Sequence, residues 1–116
     1  MDLAKSKIGE VITGFHRDFG IITAHAPTRF ERLSAWLLTG EKVSIKIPEN
    51  HLLIQAGKQL EWLTGGYLKA GFHEVIHNRE VENQVKENLK NGRSNWRVVS
   101  ALYSYVQGSL RLKPFK

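Results

Sequence analysis

Gly14-Phe15-His16-Arg17-Asp18-Phe19-Gly20-Ile21-Ile22-Thr23 is the stretch on which the reading of this chain turns. A histidine and an aspartate stand two residues apart, directly before Gly20-Ile21-Ile22-Thr23-Ala24, a segment rich in β-branched residues. On extended backbone, residues i and i+2 project to the same side. One short segment can therefore offer an imidazole nitrogen and a carboxylate oxygen to adjacent positions around a single ion. Taken alone the pair is a weak signal, because such pairs arise by chance and a strand-end histidine is commonly just hydrogen-bonded.

Outward from this segment the chain reads as short strands separated by turn residues. Leu33-Ser34-Ala35-Trp36-Leu37-Leu38 is one, closed by Thr39-Gly40. Val43-Ser44-Ile45-Lys46-Ile47 alternates apolar and polar residues, the period-2 mark of a half-buried strand, and Pro48 stops it. His51 to Gln55 is apolar and bounded by Pro48 and Gly57, and Thr64-Gly65-Gly66 signals a tight turn. Phe72 to Ile76 and Trp96 to Val106 are expected to supply the last long strands, with Leu110-Arg111-Leu112 a further short one. One helix interrupts the pattern. Asn78 suits its N-cap, Val81, Val85 and Leu89 its apolar stripe, and Gly92 its C-terminal stop. Strands at this spacing predict a mainly β fold, a barrel or jelly roll, with the helix inserted between the last long strands.

Composition bounds the possibilities. The 116 residues allow one domain, and no apolar run approaches the length of a membrane span. Met1-Asp2-Leu3-Ala4-Lys5-Ser6-Lys7 lacks the apolar stretch of a secretory signal, so a cytoplasmic location is expected, with an organelle interior left open. The absence of cysteine excludes disulfides, thiolate metal sites and cysteine nucleophiles. The net charge of +6 is scattered from Lys5 to Lys116 without an extended basic run, so it reads as a solubilising surface and nucleic-acid recognition is not expected.

A third ligand for an ion held by His16 and Asp18 must come from another strand. Gly71-Phe72-His73-Glu74-Val75 offers His73. Two histidines and one carboxylate on one face leave three coordination positions open, the pattern of non-haem Fe(II) oxygenases. Three segments together resemble the isopenicillin N synthase-like branch of the 2-oxoglutarate and Fe(II)-dependent oxygenases. The segment from Gly14 to Thr23 is similar to that family's His-x-Asp strand. Leu52-Leu53-Ile54-Gln55-Ala56-Gly57-Lys58-Gln59-Leu60-Glu61-Trp62-Leu63-Thr64-Gly65-Gly66 looks like its glycine turn and following strand. In Ala70-Gly71-Phe72-His73-Glu74-Val75, His73 falls on its distal histidine. The resemblance runs from about residue 10 to residue 114.

The resemblance implies a double-stranded β-helix, a jelly roll of the cupin type. It implies Fe(II) held by His16, Asp18 and His73, and 2-oxoglutarate as co-substrate. Arg97, in Trp96-Arg97-Val98-Val99-Ser100, falls on the family's arginine for the far carboxylate of the ketoacid. A guanidinium suits that task because its planar fork meets a carboxylate with two parallel hydrogen bonds. The family carries a serine two residues after this arginine; here that position is Val99, which removes one hydrogen bond to the co-substrate. Only fifteen residues precede His16, where the family has a long N-terminal region of helices and strands. Residues 1–116 are thus expected to form one oxygenase-like jelly-roll domain lacking that region. An open barrel would expose a sheet edge and apolar surface, to be covered by a second copy or a partner chain.

Other residues invite the same roles. His25 and His51 read as surface or hydrogen-bonded residues, and His77 as the end of a strand beside the Asn78 helix cap. Trp36, Trp62 and Trp96 are expected in the core. Tyr103 and Tyr105 share parity with Arg97 and could face the same cavity, while Glu74 should point away from the metal and Lys46 into solvent. The function implied is an oxidoreductase coupling decarboxylation of 2-oxoglutarate to oxidation, commonly hydroxylation, of an organic small molecule. Two alternatives stay open: a non-catalytic binding or assembly module on the same fold, and a cupin-type barrel holding another metal.

Overall fold

Pairing between two distant segments sets the frame of the molecule. In the computed structural model, which describes residues 1–30 and 33–115, strand β1 (Val11–His16) lies antiparallel to β6 (His73–Ile76). In the register set by Val11 opposite Ile76, His73 would face Gly14. β1 instead takes up one extra residue between Val11 and Thr13 and another between Thr13 and His16, and His16 arrives opposite His73. Bulges of this kind bend a strand and re-aim its side chains.

The other strands are β2 (Ile22–His25), β3 (Leu33–Trp36), β4 (Lys42–Ile45), β5 (Leu53–Ala56) and β7 (Ala101–Tyr103). They complete two antiparallel sheets, one in the order β1-β6-β3-β4 and one in the order β5-β2-β7. Alternation is plain in β6, where His73 and Val75 are buried while Glu74 and Ile76 are only partly covered. The mainly β architecture is as expected, and so is the helix between the last strands, although β1 and β4 leave the four-stranded sheet with two free edges.

Helix α2 (Arg79–Lys90) starts at Asn78, whose side chain accepts a hydrogen bond from the Val81 amide (3.0 Å). It stops at Gly92, which adopts φ +63°. The Arg93 and Gly92 amides reach back to the carbonyls of Asn88 and Leu89, a Schellman closure. Val81 and Val85 pack with Leu3 and Phe30 in the buried cluster. Leu89, expected on that stripe, is exposed; Asn88 is buried in its stead and donates to Asn95 (3.0 Å).

A second, shorter helix departs from the expected pattern. α1 (Lys58–Leu63) occupies part of the segment read as a glycine turn and strand. Six residues are too few to show a helical period. Its first amides find carbonyl partners in the loop after β1: Lys58 donates to Asp18 (2.8 Å) and Gln59 to Phe19 and Gly20 (both 3.1 Å). Such pairing satisfies donors that a helix start leaves free. The crossing is so close that a Cβ on Gly57 would overlap the Gly20 carbonyl, and one on Gly20 the Ser104 carbonyl.

The run from Trp96 to Val106 is not one long strand. Trp96 bridges to Asp2, the Arg97 amide donates to Met1 (2.8 Å), and only Ala101–Tyr103 pairs with β2. Two different partners divide the run. Leu110-Arg111-Leu112 forms no strand. Trp62 and Trp96 are exposed rather than in the core. Trp36 is half-buried in an outer cluster, with Phe15 edge-on to it and stacked on Phe72.

Little of the apolar surface is enclosed. Among the described residues only six apolar side chains are buried, and the radius of gyration is 16.5 Å. A compact chain of this length would measure roughly 13 Å. Tyr67, Leu38 and Leu102 are among many large apolar side chains left in solvent. No helix among the described residues is long and apolar enough to cross a membrane.

The Gly20–Gly57 crossing yields a stability test. Gly57→Ala is expected to cost about 2–3 kcal/mol or to prevent folding, since backbone rather than a flexible side chain must yield. Gly14→Ala, whose added Cβ meets nothing within 4 Å, should change stability by less than about 0.5 kcal/mol. Urea titrations of the two variants followed by tryptophan fluorescence make the comparison.

Candidate metal centre

His16 ends β1, His73 begins β6, and Asp18 follows two residues after His16. The pairing of His16 with His73 brings the two imidazoles to a centroid separation of 4.2 Å. Asp18 Oδ1 lies 3.3 Å from His16 Nε2 and 3.6 Å from His73 Nε2. One ligand atom from each of the three lies within 4.8 Å of the others, the single such group among the described residues. Imidazole and carboxylate ligands at about 2.0–2.2 Å from an ion stand roughly 3 Å apart on adjacent octahedral positions. The two separations from Asp18 Oδ1 are close to that spacing, and the three atoms converge on one space.

The remaining polar atoms of the triad are tied down in a way that selects this use. His16 Nδ1 lies 2.6 Å from the Gly14 carbonyl and His73 Nδ1 3.2 Å from the Gly71 carbonyl. A carbonyl can only accept, so each Nδ1 carries a hydrogen, and in the neutral imidazole Nε2, on the Asp18 side, is the nitrogen with the lone pair. Asp18 Oδ2 accepts from the Thr23 hydroxyl (2.6 Å), which leaves Oδ1 to face both histidines. Thr23 is buried on β2. The Asp18 carbonyl is held at the same time by α1. Side chain and backbone of the aspartate are thus fixed from different elements.

Burial pushes the pKa of His73 below its ordinary value of 6.5. The Gly71 hydrogen bond and the Asp18 charge oppose that fall, and the neighbouring His16 and His25 add to it. The neutral imidazole is the form that can ligate a metal.

Both histidines line a cavity of about 300 Å³ between the two sheets. Its apolar wall includes Leu33, Ile45, Leu53 and Val75, and its polar groups include Arg97, Tyr103 and His25. Arg97 Nε is buried without a hydrogen-bond partner among the described residues. Burial also lowers the Arg97 pKa from its ordinary value without removing its charge near neutrality. A buried cation with an unused donor fits an anionic ligand. Val99 lines the cavity too, where a serine would have offered a hydroxyl.

The structure places the other residues as follows. Glu74 points away and pairs with Lys42 (2.7 Å), and Lys46 is exposed. Arg17 points outward over the Phe72 ring, and His51 lies in an exposed turn. His77 is fully buried against the Ser6 hydroxyl and Glu82, away from the cavity. Tyr103 lines the cavity, whereas Tyr105 is not in its lining and is exposed. His25, expected as a surface or hydrogen-bonded residue, instead lines the cavity with Nε2 buried and unpartnered among the described residues. Its parity with Thr23 on β2 is the signal that could have found it.

Residues 6–101 match the family model of the 2OG-Fe(II) oxygenase superfamily, at the level of the superfamily rather than the isopenicillin N synthase-like branch. No curated protein matches the chain. Among solved structures, an oxygenase of Shewanella oneidensis superposes with a TM-score of 0.71 at 19% identity, over 94% of this chain and 37% of that one. A full-length Neurospora crassa protein in complex with alpha-KG gives 0.71 at 19% identity, over 92% and 32%. The complex of that same protein with alpha-KG and thymine gives 0.63 at 20% identity, over 83% and 26%. At such identities the likeness is one of fold, and the chain spans little more than a third of these structures at most.

The lowered His73 pKa has a measurable consequence in the metal-free chain. Its imidazole should titrate below 6.5 by NMR. The unfolded chain then binds more protons in that window, so stability should fall as the pH drops below about 6.5. His73→Gln should flatten this dependence; an unchanged slope would locate the titrating group elsewhere.

Proposed function

Because the chain belongs to the 2OG-Fe(II) oxygenase superfamily, we propose that it forms the catalytic barrel of an Fe(II)- and 2-oxoglutarate-dependent dioxygenase that oxidises an organic small molecule, most simply by hydroxylation. The observation that carries this reading is the convergence of His16 Nε2, His73 Nε2 and Asp18 Oδ1, each with its other polar atom already engaged. Fe(II) and 2-oxoglutarate, when bound, would supply the chemistry by which O2 serves as oxidant: the ketoacid is decarboxylated to succinate and CO2 as the substrate is oxidised, one oxygen atom going to each.

The protein's part is to bind, orient and exclude water. His16 and His73 offer lone pairs from imidazoles whose tautomer and ring angle are set by Gly14 and Gly71. Asp18 brings the single negative charge, with Thr23 holding its carboxylate plane. Arg97 pairs with the far carboxylate of the ketoacid through a charge-assisted hydrogen bond. Its backbone is steadied by Met1, whose carbonyl accepts from the Arg97 amide. The apolar wall of Leu33, Ile45, Leu53 and Val75 strengthens these contacts by keeping water out. A second reading, a non-catalytic module on the same fold, is favoured by Val99 and by the exposed apolar surface. We further take that surface to be covered by another chain, a second copy or a partner.

Three outcomes are expected. Purified chain supplied with Fe(II), 2-oxoglutarate and O2 should form succinate, and Asp18→Ala should abolish it; a chain that neither binds metal nor turns over would leave the non-catalytic module standing. Arg97→Gln should raise the KM for 2-oxoglutarate by about 10- to 100-fold while leaving metal affinity unchanged. Sedimentation equilibrium should give a mass above that of one chain, or a monomer that binds a hydrophobic dye. A monomer that binds none would overturn the covered-surface reading.

A further inference from the structure

Val99 poses a problem for the ketoacid subsite, and the neighbouring strand bears on it. His25 lies opposite Ala101 in the β2–β7 ladder, and the Ala26 amide continues that ladder by donating to the Ser100 carbonyl (3.0 Å). Position 99 is therefore a diagonal neighbour of His25 on the same face, within reach of a long side chain. Both residues line the cavity that also holds Arg97, His16 and His73.

Two polar nitrogens stand unused among the residues lining that cavity. Arg97 Nε and His25 Nε2 are each buried without a hydrogen-bond partner among the described residues. A buried polar atom left in this state is costly unless something pairs with it. Tyr103 packs edge-on to the His25 ring at 6.5 Å, which sets the ring's orientation without occupying Nε2. A guanidinium and, in the Nε2–H tautomer, an imidazole donor lining the same space suit a ligand with at least two acceptor oxygens, such as a carboxylate. Leu33, Ile45 and Leu53 give the cavity wall apolar surface without an acceptor, and Thr13, Thr28 and Tyr103 add hydroxyls to it.

We propose that His25 is a second co-substrate-binding residue, donating from Nε2 to the carboxylate that Arg97 pairs with and replacing, from β2, the hydrogen bond that Val99 cannot make. This rests on the 2-oxoglutarate reading above and deepens it. The site then recognises a dicarboxylate ketoacid through residues on two strands rather than on one. His25 has no part in holding the metal.

The test is calorimetric titration of ketoacids into the full chain loaded with Zn(II), which binds but does not turn over. His25→Leu should weaken 2-oxoglutarate about tenfold and leave Zn(II) affinity unchanged. His25→Gln, whose amide nitrogen reaches the place of Nε2, should recover most of the loss, as should adding Val99→Ser to His25→Leu. 2-Oxobutyrate, which lacks the far carboxylate, should bind the unsubstituted chain and His25→Leu alike. Should His25→Leu fail to fold, the His25 Nε2 resonance of the unsubstituted chain decides: it should shift with 2-oxoglutarate and not with 2-oxobutyrate. Equal 2-oxoglutarate affinity in His25→Leu, an equal loss for both ketoacids, or an unmoved resonance overturns the role of His25 alone. Failure of the unsubstituted, Zn(II)-loaded chain to bind 2-oxoglutarate overturns the parent reading and this one with it.

Discussion

The pairing of β1 with β6 is the constraint on which the rest depends. Six residues of β1 run beside four of β6, and the two surplus residues are absorbed as bulges before the strand ends. Their combined effect is to bring His16, not Gly14, opposite His73. A regular ladder would have kept the same two strands in the same sheet while dispersing the triad. The metal centre is thus a product of irregular pairing, with local twist spent on aiming a side chain.

Asp18 shows how a loop residue can be held as firmly as one in a strand. Its carbonyl meets the first amide of α1, its carboxylate meets Thr23 of β2, and the loop passes Gly57 at a distance no side chain would permit. Elements that share no sheet with β1 therefore decide where the carboxylate stands. In that placement one carboxylate faces two imidazoles whose Nδ1 hydrogens are committed to the Gly14 and Gly71 carbonyls. A divalent ion is the partner that such a donor set accommodates.

Much of the site is legible in residue spacing. His16 and Asp18 stand out by period-2 geometry, and His73 by its place on a later strand. What stays hidden is the crossing of distant segments. The β1 bulges leave no mark in composition, because Val11 to His16 reads as extended whatever its register. α1 is less than two turns long, and Gly57 serves as its N-cap without a side chain to signal it. Val98 and Val99 look like the middle of a strand, but their neighbours on either side pair with Met1–Leu3 and with β2. Leu89 fits the helical stripe and still faces solvent, since the amide pair of Asn88 and Asn95 closes that end of the core. His25 escapes a parity count that starts at His16 and crosses a loop; Thr23, on its own strand, is the proper reference.

The bulges that aim His16 also shape how this molecule can meet another. β1 is an outer strand of its sheet, and an outer strand normally offers a straight row of free amides and carbonyls to any extended peptide. Two dislocations within six residues break that row, so β1 is a poor template for backbone-to-backbone growth of the sheet into a second molecule. Contact on that flank must then be made through side chains, such as the Phe15, Trp36 and Phe72 cluster, and its specificity will lie in shape rather than in strand pairing. The feature that builds a metal site on the inside works as a guard against runaway sheet extension on the outside.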